Sequence, residues 1–383
     1  MTTAPADTQY DLTPDQIEFR DTIRQMVRER VAPRAAEIDA RSEYPRDIRK
    51  LFADHDLFGL PISEEYGGLG TGTLMLNVAI EEISKACASC GLMLAVHELS
   101  TLPIKLFGNE EQKQRILTRC ATGEWTGAFA LSEPDAGSDP GGMRTTAVQD
   151  GDEWVINGAK NWITNSGVAD FYVVFAVTDR AAGRKTAFIV EADRPGFSIG
   201  KLEHKMGIKG SPTGSPVLED VRVPQENVLG GVGRGMAVAL GTLDHSRLGV
   251  AAQAVGIALG ATDYAVAYAR ERTQFGKPIN AFQGIQFKLA DMETRTAAAR
   301  ELLYRASVKV DRNDADKGKY SAMAKVFAGD TAMAVTVEAV QVLGGYGYVT
   351  EYPVERMMRD AKITQIYEGT QEVQRLVIAR SLM

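Results

Sequence analysis

The spacing of apolar residues changes character twice along the chain, near Gly123 and again near Gly230, and this sets the architecture before any motif is read. Ahead of Gly123 the pattern is helical. Thr13-Pro14-Asp15-Gln16 joins an N-cap, a proline at the first helical position and a capping-box glutamine. Ile17, Phe19, Ile23, Met26, Val27 and Val31 follow at helical period, and Pro33 and Pro45 bend or interrupt the continuation. Helical runs cover about 74–84 and 92–105, after a glycine-rich loop at 64–70, and another opens at Asn109-Glu110-Glu111-Gln112. Between the two changes lie short β-branched or aromatic runs bounded by turn residues: 154–158, 171–177, 186–190 and 216–223. No long helical period separates them, which predicts an antiparallel β-domain rather than βαβ units. After Gly230, Ala-rich helical stretches at about 236–271, 285–311 and 320–341 predict an antiparallel bundle. The expected fold is α+β and mostly α. It has an N-terminal helical domain (1–124), a middle antiparallel β-domain (125–230) and a C-terminal four-helix-bundle-like domain (231–383).

At 383 residues the chain is too long for one ordinary core. Apolar content of 44% and charged content of 24% are those of a globular protein, and a net charge of −7 argues against nucleic acid as the main partner. The purely apolar runs fall short of a membrane span, so no membrane partner is expected. The first residues lack the marks of a signal or transit peptide, which suggests the bacterial cytoplasm, or the mitochondrial matrix after processing. Cys87-Ala88-Ser89-Cys90 has redox or metal spacing but no second pair; with Cys120 it reads as small core residues, and no metal site is expected.

Near the C-terminus, Ile366-Tyr367-Glu368-Gly369-Thr370-Gln371-Glu372 reads as a loop turning through Gly369 into a last helix capped by Thr370. Such a start offers N–H groups to an anion, and the loop ahead can aim Glu368 as a general base; the plain alternative is a solvated capping residue. Gly230-Gly231-Val232-Gly233-Arg234-Gly235 and Gly344-Gly345-Tyr346-Gly347 both fail the G-x-G-x-x-G fingerprint, so a Rossmann NAD site is not expected.

Taken with Gly127-Ala128-Phe129-Ala130-Leu131-Ser132-Glu133-Pro134-Asp135-Ala136-Gly137-Ser138-Asp139, the tail resembles the acyl-CoA dehydrogenase family of flavoproteins. Lys160-Asn161-Trp162-Ile163-Thr164-Asn165, 205–211, Arg272-Thr273-Gln274-Phe275-Gly276-Lys277 and 341–347 follow in the family's order, so the resemblance runs from about Leu12 to Arg380. It implies FAD, lined by Phe129, Leu131, Ser132, Trp162, Ile163 and Thr164. Arg272, Phe275, Gln283, Gln341, Gly344, Gly345 and Thr370 match contacts to its adenosine and diphosphate part, Arg272 across subunits. The implied assembly is a homotetramer, a dimer of dimers. Bland alternatives are a core role for Trp162, a surface charge for Arg272 and a simple turn for the glycines.

The resemblance also implies an acyl-CoA substrate touched by Ser138, Asp244, Arg247, Tyr367 and Gly369; for Asp244 and Arg247 the alternative is an i,i+3 ion pair. Glu368 matches the base that removes the α-proton, with the flavin ribityl hydroxyl and the Glu368 N–H as donors to the thioester oxygen. A β-hydride then passes to flavin N5. One family branch carries its base directly before the arginine of 243–247, where this chain has Ser246, leaving Glu368 as the candidate. Electrons are expected to pass to electron-transfer flavoprotein. The rivals are an oxidase using O₂ and a non-catalytic acyl-thioester-binding protein. The segment 95–102 matches the acyl pocket and looks closest to short-chain and short branched-chain members, which suggests fatty-acid β-oxidation or branched-chain amino-acid catabolism. Free CoA and a carrier protein both stay open as the thioester carrier.

Overall fold

A computed structural model describes residues 12–383. Six helices precede the sheet: α1 (Pro14–Met26), α2 (Ala35–Arg41), α3 (Arg46–Asp54), α4 (Gly72–Ala86), α5 (Ala88–Phe107) and α6 (Glu110–Ala121). The strands are β1 (Gly127–Ala130), β2 (Thr146–Asp150), β3 (Glu153–Ala159), β4 (Ile163–Thr164), β5 (Phe171–Asp179), β6 (Arg184–Glu191), β7 (Phe197–Leu202), β8 (Thr213–Pro224) and β9 (Val228–Leu229). Then come α7 (Gly235–Glu271), a hairpin of β10 (Thr273–Gln274) and β11 (Lys277–Pro278), α8 (Gln283–Asp311), α9 (Lys317–Leu343), α10 (Pro353–Ile363) and α11 (Gln371–Arg380). This is the expected mostly helical α+β fold.

Local chemistry accounts for the ends. Thr13 and Asn109 both form complete capping boxes, with Gln16 and Gln112 reaching back to the cap N–H. Pro33 does not stop the chain. Helix α1 loosens into a π turn at Val27–Val31 and tightens into a 3₁₀ turn at Ala32–Arg34, which accommodates the missing N–H.

The sheet runs β4-β8-β3-β2-β5-β6-β9, with β1 beside β5 and β7 beside β8. It is mixed, which corrects the expectation of a wholly antiparallel sheet. β1 pairs parallel with β5 from Gly127↔Phe171 to Ala130↔Val174, and β2 meets β5 in one parallel pair, Thr146↔Val177. The crossover from β1 to β5 passes through β2, β3 and β4 rather than a helix, so no helical period marks it in the sequence.

By compactness the chain divides into two units, one of residues up to Glu37, Thr73–Gly91 and Val250–Met383, the other of Ile38–Gly72 and Leu92–Gly249. In the second, β5 is covered on both faces. Phe171, Val173 and Phe175 join a core with Ile104, Ile116 and Leu117, while Tyr172, Val174 and Ala176 join another with Trp154, Phe188 and Val221. A strand buried on both sides reads as a continuous apolar run, as 171–177 does.

In the first unit α7 lies against α4 at backbone distance. A Cβ on Gly256 would meet the Glu81 carbonyl at 2.3 Å, and one on Gly260 the Lys85 carbonyl at 2.2 Å. Beside this contact sit two buried carboxylates, each paired with a more exposed arginine. Arg300 pairs with Glu81 at 2.7 Å and Arg24 with Glu82 at 2.7 Å. Burial pushes the Glu81 carboxyl up to about 7, against the opposing pull of Arg300.

Three helical spans are long and apolar enough to cross a membrane by length and composition: Ala88–Phe107, Gly235–Glu271 and Lys317–Tyr348. Counting only uninterrupted apolar runs missed them. Their most apolar windows are 83%, 72% and 50% buried inside the protein, so packing already covers much of that surface.

Candidate active site

In the first unit the tail loop is held by buried amides and one buried lysine. Thr370 caps α11, its hydroxyl accepting from Val373 N at 3.4 Å. Glu368 and Gly369 sit at φ +51° and +90°, two left-handed residues in succession, which swing the half-buried Glu368 off the helix start. Gln374 Nε2 donates to the carbonyls of Glu368 (3.0 Å) and Gly369 (2.9 Å). Lys325, fully buried on α9, donates to Gly369 O at 2.8 Å and Gln371 Oε1 at 3.1 Å. Gln371 Nε2 in turn reaches Val326 O and Asp330 Oδ1. The carbonyls of Glu368 and Gly369 therefore each have a buried side-chain donor, which limits the freedom of the carboxylate's backbone.

Tyr367, just before Glu368, donates its hydroxyl to Gln253 Oε1, and Gln253 Nε2 donates to Ala88 O at 2.9 Å. Burial and the neighbouring Glu368 carboxylate hold the Tyr367 phenol well above the usual tyrosine range, so it stays protonated and a hydrogen-bond donor.

The same unit contains a cavity of about 480 Å³ lined by Tyr268, Arg272, Gln274, Gly344, Gly345 and Tyr346 among others. The Arg272 guanidinium lies 5.2 Å from the Tyr346 ring centroid. Gly344 is at φ +60°, and a Cβ on either glycine would meet nothing within 4 Å. Bare backbone beside a guanidinium and aromatic rings suits a diphosphate with a flat ring attached. Phe275, 93% exposed at the hairpin tip, and the exposed Gln283 and Gln341 do not line this cavity.

In the second unit, two further groups of expected residues come together. Trp162 adopts φ +61° and leaves 61% of its surface exposed. Its N–H is held by Asn161 Oδ1 at 3.0 Å, which also accepts from Ser215 Oγ at 2.8 Å. β4 pairs with β8 through Ile163↔Gly214 and Thr164↔Thr213. The side chains of Ile163 and Leu131 are core, so the outward groups of these segments are Trp162, Thr164 and Ser132. Phe129 is half-buried, its ring centroid 5.0 Å from that of Phe175. Asn161 N donates to Ser132 O at 2.9 Å, joining the two segments.

Beneath them lies an ion pair that the motif reading passed over. Lys160 Nζ meets Glu133 Oε1 at 2.7 Å, with the side chains 0% and 5% exposed. Burial lowers the Lys160 ammonium to about 8 even with Glu133 beside it. Burial works against the Glu133 carboxylate, yet Lys160 and the Arg144 backbone N–H hold it below the ordinary range. Both residues stand inside motifs quoted above. Lys325 and Gln374 carry the signal of a polar residue on the apolar stripe of a helix.

Ser138 is exposed. Asp244 and Arg247 form an i,i+3 ion pair at 2.7 Å; Arg247 is 3% exposed and its Nε has no hydrogen-bond partner. The segment 95–102 is buried throughout. His97 stacks 4.8 Å from Phe58, and burial and Arg49 push it down to about 3, leaving it neutral. None of the three cysteines is in a disulfide and all are buried, as packing residues would be.

Each unit taken by itself offers parts that a flavoenzyme would use: a bare-backbone cavity beside an arginine and a carboxylate on a pinned loop in the first, an exposed indole in the second. Residues 13–124, 128–221 and 233–383 match the descriptions "Acyl-CoA dehydrogenase, N-terminal domain", "middle domain" and "C-terminal domain". The chain belongs to the acyl-CoA dehydrogenase family; it is an oxidoreductase and its cofactor is FAD. It is 48% identical to a short-chain-specific acyl-CoA dehydrogenase of Clostridium acetobutylicum, over 97% of this chain and 98% of that one. Among solved structures it is similar to butyryl-CoA dehydrogenase of Megasphaera elsdenii (TM-score 0.95, 45% identity, covering 97% and 99%). A chain described under "Electron transferring flavoprotein of Acidaminococcus fermentans" gives TM-score 0.96 at 46% identity, covering 98% and 99%. An acyl-CoA dehydrogenase complexed with FAD from Bacillus anthracis gives 0.91 at 36%, covering 99% and 68%.

Proposed function

We propose that this enzyme oxidises a short acyl-CoA to its trans-2-enoyl thioester, with Glu368 as the base. The observation that carries the reading is the pinned loop: a carboxylate at φ +51°, with its own carbonyl and the next held by Gln374 and the next also by Lys325. A base that must reach a weakly acidic C–H gains from such preorganisation, because no loop ordering remains to be done in the transition state. Glu368 takes the α-proton, and its backbone N–H donates toward the thioester oxygen as that oxygen gains charge. Bound FAD would supply the two-electron acceptor for the β-hydrogen. Trp162 would cover an apolar face of the cofactor and Thr164 and Ser132 would offer hydroxyls to its polar edge, while Arg272 with the 344–345 backbone would take the diphosphate of a neighbouring subunit's FAD. Thr370 and Tyr367 order the loop around the base.

The named relatives support a short chain as substrate, a butyryl group being the simplest case. Electron-transfer flavoprotein as acceptor is supported by the similarity to a chain described under that name. The boundaries 1–124, 125–230 and 231–383 and a tetrameric dimer of dimers complete the reading. The test is anaerobic addition of butyryl-CoA to the yellow protein, followed by turnover with electron-transfer flavoprotein or a dye against peroxide formed in air. Bleaching and acceptor-linked turnover at least about tenfold above peroxide formation are expected, equivalent to roughly 1.4 kcal/mol of barrier. Stoichiometric peroxide at the full rate would make the enzyme an oxidase, and no bleaching with any acyl-CoA would make it a binding protein.

A further inference from the structure

We infer that the buried Lys160–Glu133 pair is a positioning device for the flavin, locking the Leu131–Ser132 segment to the Asn161–Thr164 segment. The inference rests on reading those segments as flavin contacts. Each charge is covalently next to the residues it would place. Glu133 directly follows Ser132, and Lys160 stands two residues before Trp162.

The tie is threefold. Lys160 Nζ reaches Glu133 Oε1 at 2.7 Å and Leu131 O at 3.4 Å, and Asn161 N reaches Ser132 O at 2.9 Å. The far side is anchored as well. Glu133 accepts from Arg144 N at 2.6 Å and Thr145 N at 3.1 Å, and Lys160 N donates to Pro216 O on β8 at 2.8 Å. Neither side chain has the exposure to touch a ligand, so neither is a catalytic residue.

The pair is poorly explained as a stabilising device. A buried ion pair can often be replaced by apolar residues of similar volume without loss, whereas removing one partner strands a charge. What it supplies is a fixed register between two segments. That register matters because Trp162 is held in an unfavourable state: a bulky residue in the left-handed region with most of its indole exposed. Slack beneath it would let the chain relax toward ordinary backbone angles and turn the indole away.

The experiment uses the full chain loaded with FAD and the variants Lys160→Met, Glu133→Gln, both together, and Trp162→Ala. It reads FAD dissociation from released-flavin fluorescence, the bound-flavin absorption bands, and Tm. Each single variant is expected to weaken FAD at least about tenfold and shift the bands. The double variant, which strands no charge, is expected to recover Tm while FAD affinity stays low. Folded variants that hold FAD within about twofold of wild type with unshifted bands would overturn the proposal. So would FAD affinity that returns in full with Tm in the double variant, which would make the pair merely structural. If a single variant fails to fold, the double variant decides alone. Trp162→Ala tests the underlying reading: wild-type affinity and bands there would remove the segment from the flavin, and the proposal with it. Weak binding in Trp162→Ala beside normal binding in the ion-pair variants would sink the positioning role only.

Discussion

Replacing Gly369 by alanine should damage catalysis more than folding. Gly369 sits at φ +90°, and an added Cβ would stand 2.5 Å from Gln374 Nε2. That nitrogen holds the carbonyls of both Glu368 and Gly369. Left-handed backbone costs a residue with a Cβ about 1–2 kcal/mol. Displacing two neutral hydrogen bonds costs about 0.5–1.5 kcal/mol each. Together these give roughly 2–5 kcal/mol. The loop is half-exposed, so the strain can be released locally by rearranging residues 367–370 while Lys325 and α9 stay in place. Each kcal/mol that does reach global stability lowers Tm by about 2–4 °C. Local release instead moves the carboxylate, and a displacement of about 1 Å costs on the order of 10²-fold in rate. The assay is stopped-flow flavin bleaching by butyryl-CoA beside thermal unfolding of the FAD-loaded protein. A wild-type bleaching rate together with a wild-type Tm would show that neither the φ angle nor the Gln374 contact matters, and the account of the pinned loop would be wrong.

Three further outcomes are expected. Glu368→Gln should keep its FAD and its fold while bleaching slows by about 10²–10⁴-fold, read in the same stopped-flow trace; wild-type bleaching would remove Glu368 from the mechanism. Arg272→Ala should release FAD on dilution and shift light scattering toward smaller species, and a fully flavinylated variant of unchanged mass would refute the diphosphate contact. Glu81→Gln probes pH. Burial raises the folded-state pKa of Glu81 to about 7, above its unfolded value, so its contribution is largest in acid and is lost as pH rises through about 7. Chemical denaturation should therefore show wild type losing stability relative to Glu81→Gln between the ordinary glutamate range and pH 8; a parallel pH profile for the two proteins would contradict this.

Much of the chain's form is legible in its residues because the signals are local. Capping boxes at Thr13 and Asn109, the Thr370 cap and the apolar periods of α4 to α9 each involve groups a few residues apart, and each appears where the spacing predicts it. The continuous apolar run of β5 announces a strand covered on both faces. Likewise Glu368 stands out because a carboxylate, a glycine and a cap follow one another directly. Other features depend on partners far away in sequence. The parallel pairing of β1 with β5 joins residues 44 apart in register, with no helix between them to betray it. Lys160 and Glu133 are 27 residues apart, Lys325 and Gly369 are 44 apart, and Glu81 and Arg300 meet across still longer separation. In sequence each is an ordinary charge whose default place is water. Only tertiary packing decides that these particular charges are desolvated, because burial is a property of everything that surrounds a side chain rather than of its neighbours along the chain. The residues by themselves thus determine the helices and the main strands and mark Glu368 as the candidate base, while the fold alone decides which charges are buried beside the Glu368 loop and beneath the Trp162 segment.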